Sequence, residues 1–329
     1  MQALVTGATG FIGSHLVERL LAEGVGVRCL MRPVSPRGGA QRHIPPHAAR
    51  PVLGDLVTGA GLQEALDGVD VVYHLAGTTK ALSTAEYYSG NVTATQQLLR
   101  ACTGRRPRLV HVSSLAAAGP SADGVPLRED GSPQPLTHYG KSKLEGEQAV
   151  RQSEMAENSV IIRPPVVYGP RDTDVFAVFR GVASGMMVRI GRGESYFSYV
   201  YVSDLVDGLL LAGSSPEAAG KTFYVASPKP ASWSEFGAIA GAVMLKEPRT
   251  LRVPAWAAYM AGAAAEQFSR YSGRAGIVSR EKIVEARQRY WTCDVSAAEA
   301  GLGFRAQTSL REGVAATLEW YREAHWLTY

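Results

Sequence analysis

The run VTGATGFIGSHLVERLL at residues 5–21 constrains this chain more than any other stretch. It puts Gly7, Gly10 and Gly13 directly after an apolar strand, QALVTG, and at the mouth of an amphipathic helix. In that context the first glycine makes a tight turn, the second lets a pyrophosphate approach the backbone, and the third lets helix and strand pack closely. The helix amino terminus adds free N–H groups and a positive dipole end. The spacing is GxxGxxG, not GxGxxG. Further apolar runs follow: GVRCLMR from residue 26, VDVVYHLAG from 69, RLVHVSS from 108 and SVIIRPPVVYG from 159. They alternate with helical spacing over 84–102 and 138–157, which predicts successive βαβ units. The expected fold is α/β, a Rossmann-type doubly wound parallel sheet. We expect a dinucleotide-binding domain over 1–170, later strands from about 195–228, and a smaller, mostly helical substrate-side region interleaved through 171–329.

Other classes fit poorly. The charged fraction is 19% and nearly balanced, at +4 net, with no basic tract to suggest nucleic acid. Cys29, Cys102 and Cys293 are odd in number and far apart, which points to neither a disulfide framework nor a metal site and suits a reducing cytoplasm. QALVTG enters the first strand straight after Met1, leaving no room for a signal peptide. The longest apolar stretch, VPAWAAYMAGAAA at 253–265, falls short of the ~20 residues needed to span a bilayer and reads as a packed helix. Peripheral membrane contact is its lesser reading. Pro45 and Pro46 forbid the helix that would pair His43 with His47 on a metal, and AAGKT at 218–222 lacks the upstream glycine of a P-loop.

Of the 14 tyrosines, only Tyr139, in THYGKSK, has a lysine four residues on. On a helix Tyr139 and Lys143 share a face. An ammonium beside the phenol would favour phenolate and lower its pKa, fitting the pair for proton transfer.

In order, the glycine turn, GDL at 54–56, HLAG at 74–77, NVTATQQLL from Asn91, VSSLAAAG at 112–119, Tyr139 with Lys143, and RPPVVYGPRD at 163–172 make a pattern. It resembles the extended short-chain dehydrogenase/reductase family, also described as the NAD-dependent epimerase/dehydratase family. The likeness runs from residue 2 to GLGFRAQTSLREGV at 301–314. Its texture is similar to the dihydroflavonol-reductase and 3β-hydroxysteroid-dehydrogenase branch. The resemblance implies a Ser-Tyr-Lys triad of Ser114, Tyr139 and Lys143, with Ser113 as the alternative serine. Ser114 would orient the substrate oxygen, Tyr139 would exchange its proton, and Lys143 would also hold the nicotinamide ribose. It implies cofactor contacts from Gly7, Thr9, Gly10, Phe11, Ile12 and Gly13, from Asp55 and Leu56, and from Leu75, Ala76 and Gly77. Asn91, Val112, Ser113, Arg163, Pro164 and Val166 complete that set, although Asn91 also reads as a helix cap. It further implies a homodimer through helices near 84–104 and 137–155.

The cofactor preference comes from the end of the second strand. NAD-preferring relatives carry an acidic residue there to hold the ribose hydroxyls, whereas this chain has Met31, then Arg32, Ser35 and Arg37. Cationic and hydroxyl donors suit a 2′-phosphate, so NADP(H) is expected over NAD(H). For the substrate, aligning on Val202 and Asp204 puts Phe197 where sugar-nucleotide relatives use an arginine to grip a diphosphate. Arg192 and Arg171 remain as other phosphate contacts. Strand alternation sends Phe197, Tyr199 and Tyr201 to one face as aromatic walls, with Tyr168, Thr78 and Lys80 near the substrate. The expected reaction interconverts a ketone and a secondary alcohol on a hydrophobic or amphipathic small molecule. A sugar-nucleotide epimerase or dehydratase with the same triad is the alternative, and a non-catalytic dinucleotide sensor is a third class.

Overall fold

A computed structural model describes residues 1–32, 49–191, 193–273, 276 and 278–329. Ser35, Arg37, His43, Pro45, Pro46, His47 and Arg192 lie outside the described residues. Six strands follow in chain order: β1 (Gln2–Thr6), β2 (Gly26–Met31), β3 (Arg50–Leu53), β4 (Val71–His74), β5 (Arg108–Val112) and β6 (Ser159–Arg163). A seventh, Thr222–Tyr224, returns to pair with β6, and the sheet runs Thr222–Tyr224, β6, β5, β4, β1, β2, β3. Each pairing within it is parallel.

A parallel sheet covered on both faces has strands apolar throughout, and β4 and β6 are buried at each of their residues. Successive side chains alternate between the layers. Val5, Val110 and Ile162 meet Leu16, Val17 and Leu20 of helix α1 (Phe11–Ala22) on one face. Leu4, Val72 and Leu109 meet Leu98 and Leu99 of the Ala94–Cys102 helix on the other. The strand order reverses between β1 and β4, so the chain opens a crevice at their carboxyl ends, where ligands sit in open α/β sheets.

Three readings of the sequence change. SVIIRPPVVYG is not one strand: β6 ends at Arg163, and after Pro164 and Pro165 the segment Val166–Tyr168 pairs with Tyr199–Tyr201 in a separate small sheet. Two prolines cannot donate to a ladder, so the chain changes sheets there. The helical pattern over 84–102 is interrupted by a π-helical turn at Ser89–Thr93. The turn brings Gly90 against Thr78, where a Cβ would lie 2.0 Å from the threonine hydroxyl. The VPAWAAYMAGAAA stretch does form a helix, Ala255–Ser272, but it is packed on one side alone: within it only Ala258 and Gly262 are buried, against the Arg280–Ala286 helix. Among the described residues no helix is long and apolar enough to cross a membrane.

Candidate active site

β1 delivers the glycine turn to the crevice. Gly7 takes φ +71°, and a Cβ there would lie 2.7 Å from the Ala76 backbone nitrogen, so the turn packs directly on the segment after β4. A Cβ on Gly13 would lie 2.2 Å from the Gly7 carbonyl. These close approaches leave the Gly7–Thr9 loop and the first-turn amides of Phe11 and Ile12 available to an anion, ahead of the first helical bond from Ser14 N to Gly10 O at 3.0 Å. Below the turn, Thr6 Oγ1 accepts from Ala76 N at 3.2 Å and shares a hydrogen bond with His74 Nδ1 at 2.8 Å. Burial pushes the His74 pKa down to about 3, with the Lys143 charge adding to the effect, so the ring stays neutral. The cradle fits a dinucleotide: small, amide-rich and continuous with Leu75, Ala76 and Gly77.

β5 ends beside it and presents two serines with different fates. Ser113 is buried and its hydroxyl donates to Glu147 Oε1 at 2.5 Å. Ser114 caps the short turn Leu115–Ala117, accepting from Ala116 N at 3.1 Å, and its hydroxyl pairs with the Tyr139 phenol. Of the two serines, Ser114 is the one whose hydroxyl faces the Tyr139 phenol, while the Ser113 hydroxyl is spent on Glu147. Tyr139 opens the His138–Arg151 helix, which Thr137 caps by accepting from Gly140 N. One turn on, Lys143 is buried, and its ammonium donates to the Val112 carbonyl at 2.7 Å. Gly77 leaves room for it, since a Cβ there would lie 3.6 Å from Lys143 Nζ and 2.8 Å from Asn91 Oδ1. Burial drives the Lys143 pKa down to about 8, against the pull of Glu147.

The phenol departs from expectation. Burial raises the Tyr139 pKa, the Ser114 hydrogen bond and the Lys282 charge hold it back, and Glu285 and Asp174 push it up again. Lys143 is turned to Val112, and the cation over the Tyr139 ring is Lys282, 5.5 Å from its centroid. Lys282 comes from the Arg280–Ala286 helix. That helix also sends Glu285 to the Thr137 hydroxyl (2.9 Å) and Glu281 to His138 N (2.8 Å). Tyr87 closes the side, with ring centroids 6.3 Å apart. Nothing local in the sequence marks REKIVEA as more than a solvated helix, because its contact is with a segment about 140 residues earlier.

Several expected contacts are redirected. Arg163 does not face the crevice: its guanidinium is buried and forks onto Glu147 at 2.8 and 2.7 Å, with Tyr224 Oη at 3.2 Å. Asn91 is no helix cap; buried in the π turn, it binds Thr78 N and O (2.8 and 3.0 Å) and donates to Ser142 Oγ at 2.9 Å. Asn91 thus ties the loop after β4 to the Tyr139 helix. Pro164 supplies the carbonyl that fixes Leu115 N at 2.9 Å, and Val166 beyond it is exposed. Asp55 spends a carboxylate oxygen on Val57 N and Thr58 N, and Leu56 packs against the lower core. Arg32 is exposed at the end of β2.

Tyr168 and Phe197 are corrected outright as substrate walls. Tyr168 is fully buried among Tyr199, Tyr201 and Phe236, and Phe197 packs on Trp233 and Phe236 at 5.9 Å each. Ser198 separates two short strands, Tyr196–Phe197 and Tyr199–Tyr201, that belong to different sheets, so simple alternation does not hold across them. Lys80 pairs with Asp174, a carboxylate whose charge is felt at the Tyr139 phenol.

The reversed strand order and the glycine turn on α1 define a Rossmann-type dinucleotide-binding protein. The chain belongs to the NAD dependent epimerase/dehydratase family, which it matches over residues 3–226. As a member it is an NAD(P)-dependent, oxidoreductase-type enzyme. It is 30% identical over 325 residues to a ceramide reductase of Caulobacter vibrioides, covering 98% of this chain and 95% of that one. It is 31% identical over 245 residues to a 4-hydroxy-2-methyl-3-oxo-4-farnesyl-3,4-dihydroquinoline-1-oxide ketoreductase of Stigmatella aurantiaca, covering 72% and 71%. The solved structure of MoeE5 in complex with UDP-glucose and NAD superposes with a TM-score of 0.77 at 28% identity, over 99% of this chain and 100% of that one.

Proposed function

We propose that the chain is an NADP(H)-dependent reductase that interconverts a ketone and a secondary alcohol on a hydrophobic or amphipathic small molecule. The observation that carries the reading is the Ser114–Tyr139 pair with Lys143 one helical turn on, set against the glycine cradle at the carboxyl edge of the sheet. The cofactor, when bound, supplies or accepts the hydride. Tyr139, kept protonated by burial, gives its proton to the substrate oxygen during reduction. Ser114 donates a hydrogen bond to the same oxygen as charge develops on it. Lys143, fixed by Val112 and lying beside Gly77, would hold the nicotinamide ribose when the cofactor is bound. Lys282 and Ser114 hold the phenol back from a still higher pKa, which serves the reverse reaction.

Preference for the 2′-phosphate rests on Met31 and the exposed Arg32, where an acidic residue would otherwise grip the ribose. The lipid-like substrate class is supported by the ceramide and farnesyl-quinoline relatives. It is supported again by Arg171, which is taken by Glu18 (2.7 Å) and Ser14 (3.1 Å) instead of standing ready for a diphosphate. A second reading, a sugar-nucleotide epimerase, is favoured by the UDP-glucose complex of MoeE5. The deciding experiment pairs a fluorescence titration of NADPH and NADH with a calorimetric titration of UDP and dTDP sugars and a panel of long-chain ketones. Tighter NADPH binding and turnover of a lipid-like ketone are expected. A micromolar dissociation constant for a nucleotide sugar would reverse the ranking.

A further inference from the structure

The Ala255–Ser272 helix carries its apolar residues outward. Trp256 is 73% exposed, Met260 62%, Phe268 71% and Tyr271 92%. At 100° per residue these four fall within an arc of roughly 120°. The opposite side, Ala258 and Gly262, lies on the Arg280–Ala286 helix, close enough that a Cβ on Gly262 would sit 3.1 Å from Arg280 N. Next to the helix start, the edge strand Arg249–Val253 adds Leu251, also half exposed. Large apolar faces of this kind are rare on monomers that meet only water.

The charges say what covers it. Arg249, Arg252 and Arg270 are exposed at the two ends of the helix. The single carboxylate within it, Glu266, is taken by Arg280 at 2.7 Å. A second copy of the chain docked here about a two-fold axis would bring arginines toward arginines, while the helix's own carboxylate is already spent on Arg280. An anionic lipid surface offers phosphates to the arginines and an acyl boundary to the indole, phenyl and phenol rings, the arrangement of an interfacial helix. The homodimer expected through 84–104 and 137–155 uses other helices.

We propose that the Trp256–Tyr271 face docks the enzyme on anionic membrane, lying in the headgroup plane without spanning it. The position has a consequence for the site. The Arg280–Ala286 helix lies between the docked helix and Tyr139, with Gly262 on one side and Lys282 over the phenol on the other. A docked enzyme therefore opens its substrate side near the bilayer. Docking itself depends on neither cofactor nor substrate, so it can be tested apart from the assignment of the reaction.

The test is co-sedimentation of the purified full chain with vesicles of phosphatidylcholine alone or mixed equally with phosphatidylglycerol, alongside sedimentation equilibrium without lipid. The wild type should pellet with the mixed vesicles, release in high salt, and shift its tryptophan emission to the blue. A Trp256→Ala, Phe268→Ala, Tyr271→Ala variant should partition at least ~10-fold more weakly with an unchanged melting temperature. Arg252→Gln with Arg270→Gln should weaken binding to the mixed vesicles alone. The proposal is overturned if the wild type stays in the supernatant with both vesicles. It is overturned equally if the triple variant pellets as well as wild type, or if that variant abolishes self-association seen without lipid.

Discussion

Replacing Glu147 with glutamine should destabilise the protein far more than its position, away from the reacting atoms, suggests. Glu147 is fully buried and takes the Arg163 fork at 2.8 and 2.7 Å, the Ser113 hydroxyl at 2.5 Å and Arg151 at 2.9 Å. Burial alone would raise its pKa, but the Arg163 fork more than offsets that and holds the carboxyl below its usual range. Glutamine keeps the shape and removes the charge, leaving the Arg163 cation buried without a counter-ion. Breaking a buried pair from one side costs about 3–5 kcal/mol. At the usual entropy of unfolding per residue that corresponds to a melting point lower by roughly 4–7 °C. The loss should show in calorimetry and in urea titration, at pH 7. Substituting both partners with methionine should recover most of it, because the desolvation cost then disappears with the charge. Since Glu147 also favours the Lys143 ammonium, the same change should move the Lys143 pKa further below about 8. A single-variant loss under about 1 kcal/mol, or a double variant as unstable as the single, would refute the claim that this pair anchors the Ser113–Lys143 platform.

Other outcomes follow from the same geometry. Tyr139→Phe should lower turnover at least ~10²-fold while NADPH affinity, read by fluorescence, stays within about twofold, and full activity would sink the assigned proton donor. Lys282→Met removes a charge that lowers the Tyr139 pKa, so the ascending limb of the oxidation pH profile, where Tyr139 gives up its proton, should move to higher pH; an unmoved limb would assign Lys282 a purely structural role. Arg32→Glu places a carboxylate where the 2′-phosphate is expected. NADPH affinity should fall at least ~10-fold and NADH affinity should hold or rise, and equal losses for both would dismiss the preference.

The sheet and its ligand edge were legible in the chain because they are written in short-range patterns. Apolar runs of five or six residues can only be two-sided strands, and three glycines between strand and helix can only be a turn of close approach. Tyr139 and Lys143 were legible for the same reason, being one helical turn apart. The family resemblance named Ser114 ahead of Ser113, but that Glu147 captures the Ser113 hydroxyl from across the sheet was not legible. The fate of Arg163 turned on that same carboxylate, and the cation over Tyr139 came from 143 positions further along, a pairing no local spacing can encode. The aromatic residues Tyr168 and Phe197 misled because a ring suits a core and a ligand wall equally well, and only packing decides between them. The Ala255–Ser272 helix misled in the opposite direction. Its composition asked for burial, but burial requires a surface to pack against, and the tertiary structure covers only its alanine and glycine side.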